Sequence, residues 1–172
     1  PFYHSVILCL ADSAVTGLEG LEGKRFAFTD RYSTSGYIVP LLLFRDRGID
    51  PETFFGKIFF VGKHDAVIKS LKARSVEGGA VSSGTLAAAE GTEGNIFRVL
   101  ASSEPIPLDA IAAGKRVPQE HVQLLQEVLP RLGPDSAPME AVRFHLQWPA
   151  AGFAVLGDSF YDPLRRALGT GD

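Results

Sequence analysis

One cysteine, one methionine and one tryptophan occur in 172 residues. A single thiol excludes an intrachain disulfide. Cys9 sits among Val6, Ile7, Leu8 and Leu10, a setting for a buried thiol in a strand rather than a reactive one, and the redox compartment stays open. Long apolar runs are also missing. The longest, Ser5–Leu10 and Ile38–Phe44, are far short of a bilayer span. No basic start with a long apolar stretch opens the chain, since Pro1 leads straight into Phe2-Tyr3-His4-Ser5. That is expected of a trimmed export product and equally of a cytosolic protein. Excess positive charge is lacking: 17 Lys and Arg face 20 Asp and Glu, for a net charge of −3. They are dispersed, so no nucleic-acid footprint is present.

Catalytic signatures are scarce. Besides His64 the histidines are His4, His121 and His145, and no further His or Asp set accompanies His64-Asp65 as a metal-dependent hydrolase requires. No metal site and no cofactor are therefore expected. The stretch Gly17–Arg25 has the glycines of a phosphate loop, but the first is misplaced and Arg25 stands where Ser or Thr is needed. No G-x-S-x-G elbow occurs, and no paired carboxylates suit acid–base work. The chain is expected not to be an enzyme.

What is present is an ordinary globular composition, 45% apolar and 22% charged. Phe2–Leu10 reads as a buried strand and Lys24–Thr29 as a second. A helix runs from the Ser33-Thr34-Ser35-Gly36 turn to about Arg47, with Gly48 ending it. Pro40 moves the expected helix start towards residue 37. Further strands are expected at Lys57–Val61, Gly79–Ser82, Ile96–Ser102 and Leu108–Ala113, with helices after Gly62 and at Thr85–Glu90. From Pro118 the pattern turns helical, with segments at Gln119–Leu129, Met139–Gln147 and Tyr161–Leu168. Alternation over the first ~115 residues predicts an α/β fold with a largely parallel sheet, followed by C-terminal helices. The expected division is residues 1–113 as an α/β lobe and 114–172 as a helical segment.

Three strand-to-helix junctions carry anion-friendly chemistry. The first is Asp30-Arg31-Tyr32-Ser33-Thr34-Ser35-Gly36-Tyr37. A helix start has unpartnered N–H groups and partial positive charge, the hydroxyls add donors, and Gly36 lets an anion approach the backbone. The second is His64-Asp65, and the third is Val81-Ser82-Ser83-Gly84-Thr85. Any one of these reads best as a capped structural helix. In a parallel sheet all three lie at the carboxyl ends of strands, where open α/β sheets bind ligands, and three together favour a binding site.

Ser33-Thr34-Ser35-Gly36-Tyr37-Ile38-Val39-Pro40, then Gly48-Ile49-Asp50-Pro51, then Phe60-Val61-Gly62-Lys63-His64-Asp65-Ala66 resemble the phosphate/phosphite/phosphonate-binding proteins of ABC transporters. Leu21–Phe28, Ser103-Glu104-Pro105-Ile106-Pro107 and Tyr161-Asp162-Pro163-Leu164 extend the likeness across nearly the whole chain. The resemblance implies a type II periplasmic-binding-protein fold of two lobes around a cleft. This chain corresponds to the second lobe plus helices returning to a first lobe that is not in the sequence. It implies that Ser33, Thr34 and Ser35 bind the oxyanion with their N–H and hydroxyl groups, that His64 contacts the same group, and that Asp109 meets the far end of the ligand; Gly36, Tyr37, Asp65 and Ser82 complete the expected ligand-binding set. The family usually carries an acid or amide where Val81-Ser82 stands. Ser82 does not pair with a ligand amine, which favours phosphate, phosphite or a small phosphonate over an aminoalkylphosphonate. The expected partners are a small oxyanion and an ABC permease, the expected place is periplasmic or extracellular at the membrane, and self-association through the C-terminal helices is expected. An extracytoplasmic sensor domain of the same fold is the alternative.

Overall fold

The computed structural model describes residues 2–108, 110–146 and 150–168. The chain divides into two compact units, one of Phe2–Leu108 with the stretch from Tyr161 on, the other of the residues between.

The first unit opens with β1 (Phe2–Tyr3) and β2 (Ser5–Leu10), separated at His4. β3 is Arg25–Phe28. A single π turn, Thr34–Ile38, then leads into α1 (Val39–Arg45). α2 (Pro51–Phe54) is a one-turn helix capped by Asp50, whose side chain accepts from the Glu52 N–H. β4 (Lys57–Phe60), α3 (His64–Lys72), β5 (Gly78–Ser82), α4 (Ser83–Glu93), β6 (Phe97–Ser102) and β7 (Ile106–Pro107) follow. The five-strand sheet has the order β4-β3-β5-β2-β6. β3 is parallel to β4 and β5, whereas β2 is antiparallel to β5 and β6. Four strands thus point one way and β2 runs against them. The sheet is mixed, and the carboxyl ends of β3, β4, β5 and β6 share an edge with the amino end of β2. The short β1 and β7 pair separately.

Alternation along the strands explains why both faces are covered. Ile7, Cys9, Phe26 and Phe28 turn to one face, where they meet Phe44 and Phe55. Val6, Leu8 and Ala27 turn to the other, against Val67, Ile68 and Leu71 of α3. Phe26 stacks on Phe55 at 4.5 Å between centroids and tilts against Phe28 at 4.8 Å. Fully burying each such ring is worth roughly 2–3 kcal/mol. Cys9 is fully buried, as expected, and its thiol lies 3.5 Å from the Val15 carbonyl. Burial pushes that thiol up from its ordinary value, against the pull of Arg98.

The expected strand at Leu108–Ala113 is not formed. Leu108 and residues 110–113 are irregular, and Leu108 and Ile111 are 51% and 63% exposed. Strand pairing in this region stops at Pro107, which supplies no N–H to continue a ladder. Asp109 lies outside the described residues.

The second unit contains α5 (Gln119–Val128), a 3₁₀ turn at Leu129–Arg131, and α6 (Ala137–Leu146). No residue of α5 is buried, and Leu124, Leu125 and Val128 are exposed. α7 (Asp162–Leu168) belongs to the sheet unit rather than to these helices.

Candidate functional site

The loops leaving β3, β4 and β5 rise from neighbouring strands. After β3, Asp30 Oδ1 accepts from the Tyr32 N–H and the Asp30 carbonyl accepts from the Ser33 N–H. This tight turn delivers Ser33 as the cap of the π turn, its hydroxyl accepting from the Gly36 N–H at 3.0 Å. The Tyr37 and Ile38 N–H groups both reach the Ser33 carbonyl. Among the described residues no acceptor meets the N–H of Thr34 or Ser35. These two amides open a helical run from Thr34 to Arg45, where the backbone carries partial positive charge. N–H groups without an acceptor at a helix start, with hydroxyls nearby, are donors of the kind that can hold an anion without Lys or Arg.

Gly36 also packs the turn onto the end of β3. A Cβ there would overlap Thr29 Oγ1 and press on Ser33 Oγ. This close approach is by itself a reason for glycine at the position. Thr29 is itself buried, and its hydroxyl has no partner among the described residues.

After β4, Gly62 turns the chain with a φ of +85°, a region glycine enters without strain. His64 then begins α3, with Lys63 as a cap that makes no side-chain bond. His64 Nδ1 accepts from the Ser82 N–H at the end of β5, 3.2 Å away. In the neutral imidazole the proton is then on Nε2, which becomes a donor. Burial pushes His64 below its ordinary value, and the carboxylates of Asp30 and Asp65 partly oppose the shift. The direction of the shift favours the neutral imidazole.

After β5, Ser82 caps α4. Its hydroxyl accepts from the Thr85 N–H and shares a bond with the Thr85 hydroxyl. The neighbouring Ser83 hydroxyl accepts from the His4 N–H. Ser33, Thr34, Ser35, Gly36, His64 and Ser82 thus gather at one sheet edge. Asp65 is exposed in the first turn of α3. Tyr37 packs edge-on against Phe28 and Phe60 and accepts from Arg31. Its ring belongs to the α1 face and lines an open cavity of about 930 Å³ with Arg31, Arg45 and Glu52. α3 covers the opposite face. Asp109 is outside the described residues. Sequence reasoning missed Ser5 and Thr29. Ser5 is a fully buried serine whose hydroxyl donates to the Ser35 carbonyl at 2.7 Å, and its only local signal is a polar residue opening an apolar strand.

No group of three or more His, Cys, Asp or Glu side chains is placed to hold a metal ion among the described residues. Residues 1–159 match the sequence family described as ABC transporter, phosphonate, periplasmic substrate-binding protein. The chain belongs to this family. The family is one of substrate-binding proteins that serve ABC transporters and work outside the cytoplasm. Solved structures carry the same fold. A binding-protein component of a phosphonate ABC transporter from Pseudomonas aeruginosa superposes with a TM-score of 0.72 at 23% identity, covering 98% of this chain and 57% of its own. A Xanthomonas citri protein solved bound to ATP gives 0.76 at 20% identity, covering 98% and 66%. A Prochlorococcus marinus protein solved with methylphosphonate gives 0.67 at 16%, covering 99% and 68%. The chain thus spans 57% and 66% of the length of the first two of these proteins.

Proposed function

We propose that this chain supplies the oxyanion-holding lobe of a solute-binding protein that delivers phosphate, phosphite or a small phosphonate to an ABC permease. The observation that carries the reading is the pair of unpartnered amides at Thr34 and Ser35, on the edge where His64 is held as a neutral donor. The hydroxyls of Ser33, Thr34 and Ser35 add donors around them. Such a site takes a tetrahedral anion by directed N–H and O–H bonds, with no charge pair to desolvate. Family membership and the methylphosphonate complex of the Prochlorococcus marinus protein support the same ligand class.

On this reading residues 1–113 bind ligand, and within the helical segment 114–172 it is the part before α7 that packs on a further lobe of the receptor or on a second copy. Asp109 meets the ligand's far end, Asp65 and Tyr37 flank the site, and the protein works at the outer face of the membrane. The exposed Leu124, Leu125 and Val128 of α5 support a packing partner there. The test is a thermal-shift screen of the intact protein against phosphate, phosphite, methylphosphonate and sulfate. A cognate anion at 100 times its dissociation constant stabilises the protein by about 2.7 kcal/mol. No stabilisation by any phosphorus oxyanion overturns the reading.

A further inference from the structure

Two carbonyls at the start of the anion-facing helix leave the helix and bond to the sheet. In the π register Ile38 and Val39 donate to the Ser33 and Thr34 carbonyls. The next amide in that series would serve the Ser35 carbonyl, and in an α register the same amide would serve Gly36. It belongs to Pro40, which has no N–H. Both acceptors are taken elsewhere. The Ser5 hydroxyl donates to the Ser35 carbonyl at 2.7 Å, and the Thr29 N–H donates to the Gly36 carbonyl at 3.3 Å. The peptide between Ser35 and Gly36 is thereby fixed at both ends, since its N–H donates to Ser33 Oγ.

Ser5 is joined to the rest of the edge. Its N–H donates to the Ser103 hydroxyl at 2.9 Å. It is registered opposite Ser82 in the β2–β5 ladder, and Ser82 holds His64. A single buried residue therefore ties the helix start to the strand whose end orients the imidazole.

We propose that Ser5 and Pro40 act together as positioning residues for the oxyanion site. Pro40 keeps the Ser35 carbonyl out of the helical series, and Ser5 clamps that carbonyl to the sheet. The clamp fixes the backbone that follows the two free amides, so that Thr34 and Ser35 present them together. The effect on affinity rests on the oxyanion reading above, whereas the clamp itself does not.

A double-mutant cycle on the intact protein, read by calorimetric titration with methylphosphonate, tests the coupling. Ser5→Ala weakens binding about tenfold, the cost of one well-placed hydrogen bond. Pro40→Ala restores an N–H that can take up the Ser35 carbonyl, so in that background Ser5→Ala costs no more than about threefold. Equal factors in both backgrounds overturn the proposal, because a general loss of packing does not depend on whether residue 40 has an N–H. Amide hydrogen exchange without ligand decides the clamp separately. Ser5→Ala speeds exchange at Gly36 and leaves the β2 ladder amides at their wild-type rates. Unchanged exchange at Gly36 overturns the clamp. Failure of the wild-type protein to bind any phosphorus oxyanion overturns the binding role while this exchange result still stands or falls alone.

Discussion

The Ser82 N–H donates to His64 Nδ1 across 3.2 Å, so a side chain from the loop after β4 is held by the end of β5, with β3 lying between the two strands. The bond does two things. It places the imidazole over the end of β3, from which the Ser33–Gly36 turn departs, and it assigns the neutral proton to Nε2.

The pH response follows from that environment. Burial holds the His64 pKa below its ordinary value, so the free protein binds its proton only on the acid side of 6.5. A bound anion favours the imidazolium and raises the pKa. Affinity therefore rises as pH falls below the bound-state pKa and levels off below the lower free-state pKa. Titrations of wild type and His64→Gln in the same buffers cancel the ligand's own protonation. The wild-type advantage is expected to grow below pH 6.5, and a constant ratio contradicts the assignment.

Without ligand the same shift acts on stability with the opposite sense. The unfolded chain takes up the His64 proton at a higher pH than the folded one. Stability from this residue is present above the unfolded value and is lost as pH falls below it. Urea denaturation is expected to show wild type losing stability relative to His64→Gln between pH 7 and 5.

Gly36→Ala tests the packing of the turn on β3. The added methyl overlaps the Thr29 side chain and is expected to destabilise the protein by about 1–3 kcal/mol. Thr29→Ala in the same chain removes the obstructing atoms and restores part of that loss. Thr29→Val alone replaces a buried hydroxyl that has no partner and is expected to be neutral or stabilising by about 1 kcal/mol. Chemical denaturation of the three variants beside wild type checks the set.

Much of this site is written in local sequence. Ser33-Thr34-Ser35-Gly36 and His64 sit beside the strand ends that position them, so their patterns announce a helix start after a strand. Ser82 is similar, although its hydroxyl is occupied as a cap. The strand alternation also foretells a sheet buried on both faces. What local pattern does not contain is the partner of each residue across the sheet. Ser5 meets Ser35 across 30 residues of chain, and the antiparallel course of β2 is set by its placement between β5 and β6. Pro40 looks like a flaw in a helix until the π turn before it is seen. Leu108–Ala113 has the apolar content of a strand, but Leu108 and residues 110–113 gain no strand pairing after Pro107. Tyr37 follows the anion motif in sequence, yet the helical turn carries its ring to the α1 face.

Arg98 offers a check on the other end of β2. Its guanidinium donates to the carbonyls of Ala11, Ser13 and Val15, fixing the loop beside Cys9. Arg98→Met keeps most of the aliphatic stem and leaves those carbonyls to water. The expected loss is about 2 kcal/mol, from the hydrogen bonds of a charged donor, with oxyanion affinity unchanged. Paired denaturation and titration experiments read both quantities.

The most direct test of the central claim is a residue-resolved amide NMR titration of the intact protein with methylphosphonate. The account predicts that the Thr34 and Ser35 amides show the largest saturable shifts, with His64 Nε2 responding at the same ligand concentration. Saturable binding that leaves Thr34, Ser35 and His64 unmoved would place the anion elsewhere and reduce these residues to helix caps.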